Sequence, residues 1–253
     1  MRLVVIAVVA LAALWPASGD AAKKKPAHAR AAAAQKPAPV PAATRAAYAA
    51  MPEAERKAIQ ADLIWTGDYN GLIESDFGDN AIAAVKAFQQ RNGGKETGIL
   101  NPDERARLAE SARTKQQNAE WRLITDSATG ARLGLPGKFV PQTEPGGSGT
   151  RWHSSRGEVK IETFRATGTT LQAAYEQARK QPANREPDYQ VLRPDFFVVA
   201  GMQGGVKKFY VRGEIKNDEV RGITILWDKA MEGLFDHIAV AMSNAFVGFP
   251  QKP

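Results

Sequence analysis

The chain has 253 residues, 43% of them apolar and 24% charged, which suits one or two domains with a sizeable buried core. It has no cysteine and only three histidines, which excludes disulfides and thiolate chemistry and leaves little for a histidine-based metal or triad site. The net charge of +7 is unevenly placed. Residues 1–50 hold seven basic groups (Arg2, Lys23, Lys24, Lys25, Arg30, Lys36, Arg45) against Asp20, so residues 51–253 carry 27 basic and 26 acidic groups.

Met1-Arg2 opens the chain, and Leu3 to Trp15 is an apolar run of 13 residues followed by Ala17-Ser18-Gly19. The run is shorter than the roughly 20 residues of a membrane span, and the small residues fit a cleavage site. Residues 1–19 therefore read as a secretory signal peptide cut after Gly19, giving a periplasmic or secreted protein that is not transmembrane after cleavage. Residues 20–50, rich in Ala, Lys and Pro, read as a disordered linker. Nucleic-acid binding by this basic segment conflicts with export, so no nucleic-acid partner is expected.

Residues 51–115 carry three helix patterns. Pro52 sits at a tolerated first helical position before Glu53 and Glu55, Ile59 and Leu63 lie four apart, and Gly67 stops the helix. A polar turn follows. Asp79 or Asn80 then caps a second helix, with Ile82, Val85 and Phe88 on one face and Gly93-Gly94 beyond its end. Asn101-Pro102-Asp103-Glu104 is an N-cap, a first-turn proline and an N3 glutamate, opening a third helix that buries Leu108 and Ala112.

In order, Gly67-Asp68-Tyr69, Phe77-Gly78, Ala84-Val85-Lys86-Ala87-Phe88-Gln89 and Thr97-Gly98-Ile99-Leu100 resemble the motifs of the peptidoglycan-binding three-helix domain family, over roughly residues 53–112. The resemblance implies a groove that takes peptidoglycan. Glu74-Ser75-Asp76 replaces the family's Asp-Gly before Phe-Gly, and Ala81 stands where the family has Thr. Within this region Trp65 and Tyr69 offer flat faces for a sugar or a peptide stem, and Asp76, Gln89 and Arg91 offer hydrogen bonds and charge. Each has a structural alternative: Trp65 as core, Asp76 as a turn residue, Gln89 closing a helix–loop hydrogen bond, and Arg91 complementing a helix dipole.

From Trp121 the periodicity changes to strands: 121–125, 131–135, 150–154 and 159–166, then 189–193, 196–202, 208–215 and 220–227. Thr170 opens an amphipathic helix between the two groups, and Gly204-Gly205 and Asn217-Asp218 read as hairpin turns. The last helix lines up Met231, Leu234, Phe235, Ile238, Met242 and Phe246. The expected fold class is thus multi-domain: a small all-α three-helix module, then an α+β domain over 121–250 with an antiparallel sheet and two helices. The sequence Gly134-Leu135-Pro136-Gly137-Lys138-Phe139, the Thr170-Leu171 helix and the terminal Met242-Ser243-Asn244-Ala245-Phe246 resemble the α/β/α sandwich of the extrinsic photosystem oxygen-evolving protein family. That resemblance implies a binding or assembly module.

Catalytic patterns are sparse. His153 and His237 have no partner at metal-ligand spacing, Gly147-Ser148-Gly149 lies in a Gly/Pro-rich loop rather than a strand–helix elbow, and the 68–79 loop fails the calcium-loop pattern. No catalytic residue, metal or cofactor is assigned. The sequence reading is an exported, non-enzymatic cell-envelope protein that associates with peptidoglycan through its helical domain, with a possible envelope protein partner at the C-terminal domain. Two alternatives remain open: a glycan-cleaving envelope enzyme with residues 121–250 catalytic, and a scaffold whose wall-binding site is lost.

Overall fold

The computed structural model describes residues 40–251. The signal-peptide reading of residues 1–19 and the linker reading as far as residue 39 fall outside the described residues.

The segment expected to end the linker is instead a helix, α1 (Ala42–Ala49). Its alanines favour helix, and Thr44 and Tyr48, four residues apart, are buried on one side of it. Three further helices follow: α2 (Glu53–Thr66), α3 (Asp79–Arg91) and α4 (Pro102–Asn118). Their ends follow local chemistry. Gly67 closes α2 in the left-handed conformation at φ 84°. Asn101 and Glu104 form a reciprocal capping box at the start of α4. Pro52 is the N-cap of α2 rather than its first residue. Gly78, not Asp79 or Asn80, is the N-cap of α3, which leaves the Asp79 carboxylate free to pair with Arg45 at 2.7 Å.

The hairpin β1 (Trp121–Thr125) and β2 (Arg132–Pro136) precedes a seven-stranded antiparallel sheet. The sheet strands are β3 (Gln142–Pro145), β4 (Thr150–His153), β5 (Val159–Thr167), β6 (Arg185–Leu192), β7 (Phe196–Gln203), β8 (Lys207–Lys216) and β9 (Glu219–Asp228). They lie in the order β3-β4-β5-β9-β8-β7-β6. The β8–β9 hairpin turns at Asn217 and Asp218, both with positive φ, as the two-residue turn requires. One sheet strand escaped the sequence pattern and another was placed only in part. Strand β3 is a four-residue edge strand ending at Pro145. Strand β6 begins four residues before Tyr189, passing through Pro187 at a register shift; proline is tolerated there because β6 is the other edge.

Alternation along the strands gives the sheet two apolar faces. Phe197, Val199, Phe209 and Val211 pack against Leu171 and Ala178 of α5 (Leu171–Lys180). Val198, Tyr210, Ile223, Ile225 and Trp227 meet Phe235, Ile238, Ala239 and Met242 of α6 (Glu232–Ala245). Helices thus cover both faces of one sheet. The expected stripe of α6 holds except at Leu234, which is exposed. Asp126, in the β1–β2 turn, is buried and accepts hydrogen bonds from the hydroxyls of Thr129, Thr150 and Thr163 at 2.6–2.8 Å, fastening the hairpin to β4 and β5.

The core on the α6 side does not stop at α6. Ile64 and Trp65 of α2, Ala112 of α4 and Ala119 belong to the same buried cluster as Phe235, Ile238 and Met242. Trp65 is 4% exposed and meets Trp121 edge-on, ring centroids 4.9 Å apart. Gly134 leaves the space under the Trp121 indole, since a Cβ there would lie 1.9 Å from the ring. Asn244 of α6 adds two hydrogen bonds to the loop after α2: its Oδ1 accepts from the Ile73 amide at 2.7 Å and its Nδ2 donates to the Gly71 carbonyl at 3.2 Å. Truncating Trp65 to Ala should cost about 3–5 kcal/mol. Because the core is continuous, helical and sheet signals should still melt in one transition; two separate urea transitions in the parent protein would refute a shared core.

Candidate functional site

The loop from Gly67 to Gly78 is held from beneath by side chains of α2. Gln60 accepts from the Glu74 amide through Oε1 at 3.1 Å and donates to the Glu74 carbonyl through Nε2 at 2.8 Å. Arg56 donates from Nε to the Ser75 carbonyl at 2.8 Å and from Nη1 to the carbonyls of Met51 and Tyr48. One guanidinium therefore joins the loop to the end of α1. Tyr48 completes that junction: its ring stacks on Phe77 with centroids 3.9 Å apart, and its hydroxyl donates to the Gly98 carbonyl at 3.1 Å. Burial pushes the Tyr48 phenol up to about 12, so it stays a donor at any physiological pH.

Between α1 and this loop lies a cleft of about 860 Å3. Arg45, Arg56, Asp76 and Asp79 bring both signs of charge to its walls, and Tyr48 and Phe77 form its apolar back. The Arg45 guanidinium hydrogen-bonds both carboxylate oxygens of Asp79 and holds that carboxyl below its usual range. Asp76 is exposed, and among the described residues it has no ion-pair or hydrogen-bond partner through its carboxylate. Such a cleft suits a ligand bearing both amines and carboxylates along an amide chain.

Of the five residues expected to form the site, only Asp76 lines this cleft. Trp65 is buried against Trp121 and α6, so it offers no free face. Tyr69 is half-buried between the two cores, and its hydroxyl donates to the Leu72 carbonyl at 3.0 Å. Gln89 is 1% exposed. Its Nε2 donates to Thr97 Oγ1, the Ile99 carbonyl and Glu104 Oε2 at 3.0–3.1 Å, and its Oε1 accepts from the Gly98 amide at 2.9 Å. It thus builds the 97–100 turn, which edges a second cavity of about 590 Å3 with Lys95, Asn101 and Arg107. Arg91 does complement a helix end, but that of α2: it donates to the Thr66 carbonyl at 3.1 Å and pairs with Asp68 at 2.7 Å. The cleft residues that sequence reasoning missed are Arg45, Tyr48 and Arg56. For Arg45 and Tyr48 the signal was the four-residue spacing of Thr44 and Tyr48 in an alanine-rich stretch that composition alone assigns to linker; Arg56 stands on α2, where nothing in the sequence marks it out.

Set against this geometry, residues 52–108 match the model of the family described as "Putative peptidoglycan binding domain". That match supports association with peptidoglycan for the helical part of the chain. For the remainder, the solution structure of cyanobacterial PsbP (CyanoP) from Synechocystis sp. PCC 6803 is similar at 8% sequence identity and a TM-score of 0.39, over 51% of this chain and 92% of that one. No curated protein matches the chain.

Near the junction, His237 of α6 faces Trp65 with ring centroids 6.2 Å apart. Burial, reinforced by Lys115 and only partly opposed by Asp236, pulls its imidazole down to about 4. The fold therefore holds His237 neutral while the unfolded chain protonates it near 6.5. Stability is fully present above about pH 6.5 and is lost as pH falls towards 4, at a limiting slope of about 1.4 kcal/mol per pH unit for one proton. A His237→Gln variant should show a flatter stability profile over pH 4–6.5 in urea melts; an unchanged slope would refute the assignment.

Proposed function

We propose that this is an exported, non-enzymatic envelope protein that holds peptidoglycan in the cleft between α1 and the 75–79 loop. The observation that carries the reading is the family match over 52–108, which includes that loop and α2 beneath it, while α1, the other wall of the cleft, lies just before the matched residues. Opposed charges at Arg45, Arg56, Asp76 and Asp79 suit the peptide stems of the wall, which carry free amines and carboxylates along amide chains. A periplasmic or secreted location fits that ligand and the apolar run from Leu3 to Trp15. Among the described residues no helix is long and apolar enough to cross a membrane. The sheet domain then serves as a rigid body behind the cleft and as a module for an envelope partner. The non-enzymatic reading is supported by the lack of cysteine in the sequence and by the packing of His237 against Trp65.

A second reading has its own support. Trp65, Tyr69, Gln89 and Arg91 are all committed to internal contacts, which suits a helical module kept as scaffold after its wall-binding site was lost.

Sedimentation with purified sacculi distinguishes the two. A chain starting at residue 40 keeps every described residue and removes six of the seven basic groups of residues 1–50, so that electrostatic adhesion does not mimic recognition. The helical module should not be cut out alone, because Ile64, Trp65 and Ala112 would lose their cover. The residue-40 chain should pellet with sacculi, and Asp76→Arg should lower the bound fraction several-fold without lowering the melting temperature. Full retention by that variant would remove the cleft from the reading. No pelleting by the parent at low salt would leave the scaffold. Dye release from labelled sacculi should stay at background; sustained release would refute the non-enzymatic claim.

A further inference from the structure

The α5 face of the sheet holds a cavity that has no part in the helical cleft. About 300 Å3 opens beside α5, bounded by Phe164, Ala174, Gln177, Arg185, Val211 and Thr224. Arg185 enters from the first residue of β6 and lies over the Phe209 ring, its guanidinium carbon 4.5 Å from the centroid. Nε donates to Gln203 Oε1 at 3.2 Å and Nη1 to the Ala178 carbonyl at 2.7 Å. Among the described residues Nη2 makes no hydrogen bond and no carboxylate pairs with Arg185. Burial pulls this guanidinium down to about 10, with no acidic neighbour acting against it. No Asp or Glu lines the cavity, and Arg165 at its margin is already paired with Glu219 at 2.7 Å.

The Arg185 guanidinium is part-buried and carries its charge with no acidic partner among the described residues. Here it faces an open space whose other walls are apolar (Phe164, Ala174, Val211) or neutral and hydrogen-bonding (Gln177, Thr224). A single unneutralised cation suits a monoanion, and the apolar walls suit a hydrocarbon substituent beside it. We propose that this cavity binds a small monocarboxylate with a short apolar substituent, its carboxylate on Arg185 and its substituent against Phe164, Val211 and α5. The volume equals that of on the order of ten liquid waters, which limits the ligand to a short chain. A free short-chain acid and the C-terminus of a short peptide share this chemistry.

The test titrates the protein with hexanoate, hexanol, Ala-Ala and Ala-Ala amide, read by calorimetry and by amide NMR shifts on α5 and β8. At least one of the two carboxylates should saturate at millimolar concentration and shift those amides; hexanol and the dipeptide amide should not. Hexanoate alone identifies a free acid as the source, and Ala-Ala alone a peptide terminus. Arg185→Gln should weaken binding about tenfold or more, as the loss of a charge-assisted pair requires. Ala174→Leu fills the cavity without touching the charge and should weaken it likewise, so the test stands even if the arginine variant does not fold. Saturation by neither carboxylate, equal binding of hexanol and hexanoate, or undiminished binding by both variants would overturn the proposal.

Discussion

Trp65 determines how the two halves of this molecule relate. It sits at the last full turn of α2, where a three-helix module would ordinarily meet solvent, and is instead enclosed by Trp121, α6 and the sheet core. A buried tryptophan removes a large apolar area from water, and with Ile64, Ala112 and Ala119 in the same cluster it offsets the entropy of fixing one domain against the other. Asn244 then fixes the angle of approach, because its amide reads two backbone groups of the loop after α2. The loop that edges the cleft is thus positioned partly by a helix from the opposite end of the chain.

That arrangement explains why the residues with most obvious binding chemistry do not bind outward. A loop of polar residues on a small module must satisfy its own backbone, and Gln60, Arg56, Tyr69 and Asn244 each supply a partner to it. Gln89 performs the same task for the 97–100 turn through both ends of its amide. What remains for a ligand are charges that the backbone does not need: Asp76 outright, and Arg45 with Asp79 as a pair that a ligand can exchange into. Those two are more than half exposed, so their mutual attraction is weak and salt-sensitive, as suits a pair that opens.

Much of the fold was legible because local chemistry and tertiary packing agree. The Asn101–Glu104 box, the Thr170 cap and the Asn217-Asp218 turn each specify backbone geometry within four residues, and each stands where the pattern put it. The misses have physical causes. Strand β6 carries a proline that only an edge position tolerates, and no single sequence reveals which strand is at an edge. Helix α1 is too short to be stable alone and exists because Tyr48 finds Phe77 and Gly98, nearly thirty and fifty residues away. Trp65 is expected as a flat binding face, with core as the alternative, and it is core: residue type does not say whether an indole faces a ligand, its own core or a neighbouring domain.

The sheet margins carry a consequence of their own. One border is four residues long and finishes in proline; the other bends at a proline where its register slips. Neither offers the long run of unsatisfied amides that an extended peptide needs to dock as an extra strand. Among the described residues the borders of the seven-stranded sheet are therefore poor templates for edge-to-edge pairing with a neighbouring chain.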